Sequence, residues 1–153
     1  MKTTVINFRT YKTLHSWLDF ASQGFFSQNE LLSLILQKSA LEQTSEIGVS
    51  RLLVDLLSRL ERTRTGDSIV LAARVPVYTR DLIADCSSRR GKTPSNWCSL
   101  VLIDWQDGFQ VLEETHTGDA WLGGYAGQLR SHVASLRDIY AQKQAKLTSK
   151  ETP

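Results

Sequence analysis

Asn7 and Arg9 lie two positions apart near the start of the chain, and both side chains can form paired hydrogen bonds. On an extended strand they share one face, together with Val5, because strand side chains alternate. Arg can bond the edge of guanine bidentately, Asn can bond adenine in the same way, and an apolar group such as Val5 can contact a thymine methyl. The same residues also suit the solvated face of an edge strand, so the spacing alone leaves both interpretations open.

Catalytic and metal-binding chemistry has weaker support in the sequence. There is no phosphate-loop glycine pattern, no Cys-x-x-Cys, no His-Glu-x-x-His and no nucleophile elbow. One acidic group with a histidine could hold a divalent cation, and its members are Asp104, Asp107, Glu113, Glu114, His116 and Asp119. A predicted turn explains Asp107, and nothing local makes a nucleophile pair of Cys86 with His116 or His132. We therefore predict no metal, no cofactor and no enzymatic activity.

Composition places the chain among ordinary globular proteins. Its 153 residues, 41% of them hydrophobic and 22% charged, suffice for one domain or for a small domain with a dimeric appendage. No apolar run approaches the ~20 residues of a membrane span, and the start lacks an apolar signal region. The two cysteines are too few for a disulfide scaffold. These features predict a cytoplasmic protein with free thiols and no membrane partner, and a net charge of +2 is compatible with nucleic acid.

The first forty residues predict a strand followed by two helices. Ile6 and Phe8 form the apolar face of a short strand, which cannot pair its backbone groups by itself. A helix is predicted from Lys12 to about Gln23, with one apolar stripe. Ser27 to Glu30 has the spacing of a capping box and predicts a second helix that ends near Gln43.

Residues 4–43 resemble the ribbon-helix-helix DNA-binding superfamily of the Arc/MetJ type. The resemblance rests on the alternating strand, the striped first helix, the turn at Gly24 and the capped second helix. It implies that two chains pair their strands antiparallel, insert them into the major groove and clamp phosphates with the second-helix N-termini. The residues that would face bases are Val5, Asn7 and Arg9. Those that would contact phosphates are Ser27, Gln28 and Asn29.

The remaining residues predict an extension with α+β composition. A helix over residues 45–62 carries an apolar stripe that suits either a core or a dimer seam. Its basic end could add phosphate contacts through Arg59, Arg62 and Arg64. The basic loop at residues 87–96 is a further candidate for such contacts.

The second half of this extension predicts a three-stranded antiparallel sheet and a C-terminal helix. One strand is Ser68–Ala73, and a hairpin around Asp107-Gly108 supplies Leu100–Trp105 and Phe109–Leu112. A short helix is predicted from Tyr78 to Cys86. The last helix is predicted from about Tyr125 to Lys146, with the stripe Leu129, Val133, Leu136 and Tyr140.

The expected fold class is thus α+β, with a DNA-binding and dimerisation unit at residues 1–43 and an extension at residues 44–153. The resemblance implies a sequence-specific transcription regulator, of the kind also found on plasmids and mobile elements, that binds double-stranded DNA as a homodimer or a higher even oligomer. The alternative is a protein–protein interaction module, such as an adaptor, inhibitor or immunity-type protein. In the regulator the N-terminal strand pairs with a second copy, whereas in the interaction module it pairs with the hairpin of its own chain.

Overall fold

The computed structural model describes residues 2–22, 27–44, 67–115 and 119–151. Within them the fold is mixed α+β, as predicted, with five helices and a two-stranded antiparallel sheet. The elements in chain order are β1 (Thr3–Tyr11), α1 (Lys12–Ser22), α2 (Gln28–Thr44), β2 (Ser68–Pro76), α3 (Val77–Arg89), α4 (Pro94–Thr115) and α5 (Asp119–Glu151). The predicted strand followed by two helices is confirmed as β1, α1 and α2.

The N-terminal strand pairs within its own chain. β1 runs antiparallel to β2 over its whole length, with Thr3 opposite Pro76, Asn7 opposite Ala72 and Tyr11 opposite Ser68. The partner is not the predicted hairpin, so that expected pairing is wrong, and β2 takes the place that a second copy was expected to fill. Because β2 is as long as β1, it pairs with β1 along the whole of one edge and supplies hydrogen-bond partners for the backbone groups there.

The predicted hairpin is replaced by a helix. α4 covers Leu100–Leu112 without interruption, and Asp107-Gly108 lies inside it. The run Leu100–Ile103 is fully buried on a helix that is enclosed on all sides at this point. A short apolar run is compatible with a buried strand or a buried helix turn, and hydrophobic periodicity cannot separate the two. Thr93-Pro94 was the informative signal, since Pro is favoured at the first position of a helix.

The boundaries of the other elements also differ from the sequence predictions. α3 extends beyond the predicted Tyr78–Cys86, and together with the start of α4 it occupies most of the predicted basic loop. α5 begins before Tyr125 and continues past Lys146. The predicted helix at residues 45–62 lies outside the described residues.

The described residues contain the same order of elements twice. β1, α1 and α2 form the first strand-helix-helix segment, and β2, α3 and α4 form the second. The two segments are interleaved, because α4 packs against β1 and α2 packs against β2. The inward faces of both strands and the helices share one hydrophobic core, whose largest fully buried side chains include Trp97, Leu14, Leu18, Ile35, Leu36, Ile83 and Leu100. The buried surface of α2 packs against helices of the same chain.

The C-terminal helix is attached to one side of this arrangement. The predicted stripe is confirmed, because Leu129, Val133 and Leu136 are buried and Tyr140 packs on the core. Among the described residues, α5 contacts α2 but neither strand. Its polar links include an ion pair between Arg130 and Glu30, 2.7 Å apart, and a contact between His132 and Glu42. The described residues of α5 therefore do not cover the sheet face opposite the core.

Candidate nucleic-acid interface

The outward face of the sheet is exposed along both strands. Burial alternates in the same order on β1 and β2, as expected for strands with one face on a core. Val5 and Val70 are 43% and 54% exposed, which is high for apolar side chains. The outward-facing residues that are exposed are Thr3, Val5, Asn7, Arg9, Ser68, Val70, Ala72 and Arg74. This set contains two arginines and no acidic residue, so the face attracts anions.

Each arginine of this face is held by a hydroxyl group of the opposite strand. Nη1 of Arg9 donates a hydrogen bond to Oγ of Ser68 at 3.0 Å. Nη1 of Arg74 donates to Oγ1 of Thr3 at 3.3 Å. A guanidinium carries five N–H donors, so one such bond restrains its position and leaves most donors for another partner.

The two strands are related by a local two-fold relation whose centre lies between Asn7 and Ala72. These residues are opposite each other at the midpoint of the register. Beyond the ends of the strands, the N–H of Lys12 donates to the carbonyl of Asp67 at 2.9 Å. At the other end the N–H of Val77 donates to the carbonyl of Lys2 at 3.1 Å. The two-fold relation maps Thr3 onto Ser68 and Arg9 onto Arg74. It therefore also maps the Arg9–Ser68 bond onto the Arg74–Thr3 bond.

The N-termini of α2 and α4 lie at the two edges of the sheet. The backbone N–H of Arg74 donates to Oδ1 of Asn29 at 3.2 Å, and the N–H of Arg9 donates to Oγ of Ser95 at 3.1 Å. Asn29 and Ser95 are each the second residue of their helix. These bonds cap otherwise open strand edges and attach one helix N-terminus to each edge.

Both helices begin with a hydroxyl N-cap. Oγ of Ser27 accepts a hydrogen bond from the N–H of Glu30 at 3.1 Å, as the capping-box spacing predicts. Oγ1 of Thr93 accepts one from the N–H of Asn96 at 3.2 Å. Other first-turn N–H groups of a helix have no partner within the helix, and together with the helix dipole they favour a bound anion.

A groove runs beside each strand where a helix N-terminus meets the sheet. The groove at the start of α4 has a volume of about 330 Å³, and its lining includes Arg9, Ser68 and Thr93. The groove at the start of α2 has a volume of about 210 Å³, and its lining includes Gln28 and Val70. The exposed sheet is thus flanked by two concave sites that contain polar groups.

The predicted site residues fall into three groups. Val5, Asn7 and Arg9 lie together on the outward face, exposed as the alternation predicts. The predicted phosphate group, which is Ser27, Gln28 and Asn29, forms the start of α2 beside β2 and therefore lies next to Arg74 rather than Arg9. Arg59, Arg62 and Arg64 lie outside the described residues.

Sequence reasoning missed the second half of this surface. The missed residues are Val70, Ala72 and Arg74 on β2, and Thr93 and Ser95 at the start of α4. One signal was present, because Val and Arg recur at the same spacing in the two strands, at Val5 and Arg9 and at Val70 and Arg74. Two matched residues in a nine-residue strand are a weak signal until the pairing of the strands is known.

Other chemistry has little geometric support in the described part of the chain. No three His, Cys, Asp or Glu side chains there lie close enough together to hold a metal ion. The side chains of the predicted acidic group beyond Asp104 lie outside the described residues. Both cysteines are buried, and burial raises the pKa of the Cys98 thiol to about 12, so this thiol stays protonated at neutral pH. Among the described helices none has the length and hydropathy to cross a membrane.

The chain matches no known family model, no curated protein and no solved structure. The geometry of the sheet and its flanking helices is therefore the basis on which a function can be proposed.

Proposed function

We propose that the protein is a sequence-specific DNA-binding protein of the ribbon-helix-helix type, acting as a transcription regulator, in which one chain supplies both strands of the reading ribbon. The outward face of β1 and β2 enters the major groove, and the N-termini of α2 and α4 hold the backbone on either side. The strand-helix-helix order of residues 3–44 supports this proposal, and so does its repetition in residues 68–115.

The observation that carries the proposal is the exposed antiparallel ribbon with a local two-fold relation. A two-stranded ribbon fits the major groove, which is about 12 Å wide. Its outward side chains include Asn7, Arg9 and Arg74, which are residue types that bond adenine and guanine bidentately. Val5 and Val70 add exposed apolar groups that can contact thymine methyls.

The flanking helix N-termini give the proposal its phosphate contacts. Each one is attached to a sheet edge through a hydrogen bond to the backbone N–H of Arg9 or Arg74. A phosphate bound at either helix start would fix the register of the ribbon, whereas the sheet side chains would read the sequence. The residues that take part at these starts are Ser27, Gln28 and Asn29 in α2, and Thr93 and Ser95 in α4.

The rival proposal is a protein–protein interaction module that uses the same exposed face. The pairing of β1 within its own chain favours this module, because the alternative also expected an intrachain partner, although it expected the hairpin rather than β2. Against it, the partner strand is itself followed by two helices, so intrachain pairing produces the same ribbon that two chains would produce. The positive, acid-free character of the face also favours a polyanion over an ordinary protein surface.

A selection from random duplex DNA, followed by gel-shift measurements on the enriched sequence, tests the proposal. We expect enrichment of a defined site and loss of specific binding in the double variant Asn7→Ala, Arg9→Ala. Each lost bidentate contact costs about 1–3 kcal/mol in binding. The variant should keep the wild-type melting temperature, because both side chains are exposed.

The matched control is Lys143→Ala, which removes one positive charge from an exposed position of α5, a helix whose described residues do not contact the sheet. This control should retain specific binding at the same salt concentration. Failure to enrich any sequence, or equal binding by the double variant and the control, would exclude the ribbon as a DNA-reading surface and leave the interaction module.

A further inference from the structure

Comparison of the two halves of the ribbon reveals one difference at its centre. Under the local two-fold relation, Val5 corresponds to Val70 and Arg9 corresponds to Arg74, so the outer reading positions match. The central positions do not match, because Asn7 lies directly opposite Ala72. One carboxamide and one methyl group therefore stand side by side where a symmetric dimer would have two identical residues.

We infer that a single chain reads an asymmetric DNA site in one fixed orientation. The inference rests on the proposed DNA-binding function and specifies the kind of target. That target is a duplex whose two outer parts offer the same contacted bases and whose central sequence is not palindromic. Arg9 and Arg74 would each bond a guanine, whereas Asn7 would bond an adenine on one side of the centre only.

The positions of the two arginines support matching outer contacts. Each guanidinium crosses to the opposite strand and bonds a hydroxyl there, Arg9 to Ser68 and Arg74 to Thr3. The same restraint thus acts on both, with Ser and Thr as equivalent acceptors. Restrained arginines lose less side-chain freedom on binding, so the two outer contacts contribute comparably to affinity.

The packing of the fold supports binding by one chain. Both strands of the ribbon, both helix N-termini and the core beneath them come from the same chain. The inward-facing residues of the ribbon, such as Phe8 and Val75, are buried without a second copy. The reading surface is therefore complete in one molecule, and nothing in it requires the target to be palindromic.

The two helix N-termini also differ from each other, as the two central residues of the ribbon do. α2 begins with Gln28-Asn29-Glu30, and Glu30 is bonded to Arg130 of α5. α4 begins with Pro94-Ser95-Asn96, none of which is charged. The two flanks therefore present different groups to the backbone, which adds to the preference for one orientation.

The test is a selection from random duplex DNA with the full chain in three forms, namely wild type, Ala72→Asn and Asn7→Ala. For the wild type we expect a non-palindromic motif, and native mass spectrometry of the complex should give one chain per site. Ala72→Asn makes the two central positions identical and should shift the selected motif toward a palindrome. Asn7→Ala should weaken binding to the wild-type site roughly 5- to 150-fold, which corresponds to the loss of one bidentate base contact.

Both substitutions are at exposed positions of the sheet, and circular dichroism of each variant should match the wild type before binding is measured. The inference is overturned if the wild type enriches a palindrome, if two chains occupy each site, or if folded Ala72→Asn enriches the unchanged motif. These outcomes all include specific DNA binding and therefore leave the proposed function standing. Enrichment of no sequence at all overturns the proposed function and the inference together.

Discussion

At the residue scale, Phe8 shows how one strand serves the core and the proposed reading surface at once. Phe8 is 2% exposed beneath the ribbon, whereas its neighbours Asn7 and Arg9 point to solvent. We expect Phe8→Ala to lower the free energy of unfolding by about 3–5 kcal/mol, because it leaves a cavity under the sheet. The measurement is urea unfolding followed by circular dichroism.

The control for this residue is the same substitution at an exposed position. Phe20 is 57% exposed on α1, so Phe20→Ala should change the free energy of unfolding by about 0.5 kcal/mol or less. Equal losses at the two positions would contradict the assignment of Phe8 to the core.

At the scale of elements, the starts of α2 and α4 determine where the ribbon is flanked. Ser27 and Thr93 cap these helices. Two residues after each cap, Asn29 and Ser95 accept hydrogen bonds from backbone N–H groups at the strand edges. We expect Ser27→Ala and Thr93→Ala each to lower the free energy of unfolding by about 0.5–2 kcal/mol, since each leaves a first-turn N–H without its side-chain acceptor. Denaturant unfolding measures both effects.

Ser88→Ala is the matched control for the two caps. Ser88 is exposed within α3, where Ala has the higher helix propensity, so this variant should be as stable as wild type or slightly more stable. A cap variant as stable as Ser88→Ala would show that the cap bond contributes nothing.

At the scale of the whole molecule, the interleaved packing removes the need for a second copy in folding. One expected role of the homodimer was to give β1 a partner, and β2 provides that partner within the chain. We therefore expect a melting temperature that is independent of protein concentration between about 1 and about 100 μM, because a folded unit of one chain has no association step. Differential scanning fluorimetry across this range measures it, and a melting temperature that rises steadily with concentration would mean that folding requires a dimer.

The local features of the first forty residues were predictable because neighbours in sequence decide them. Alternation identified the buried side of β1, with Phe8 inward and Arg9 outward, and the Ser27 capping box located the start of α2. The apolar run from Leu100 to Ile103 was misassigned, because a strand covered on both faces and a helix enclosed on all sides give the same short pattern. The Asp-Gly pair then suggested a turn that the helix does not make.

The sequence by itself determined that one face of the first strand is polar, that a strand and two helices begin the chain, and which side chains could form base-type hydrogen bonds. Only the tertiary structure decided what pairs with that strand. β1 and β2 lie far apart in the chain, and strand pairing depends on which two edges meet once the helices have packed, a non-local outcome that residue spacing does not encode. That pairing is what places Arg74 beside Val5 and Ala72 beside Asn7, and so turns a single polar strand face into a two-stranded surface with an asymmetric centre.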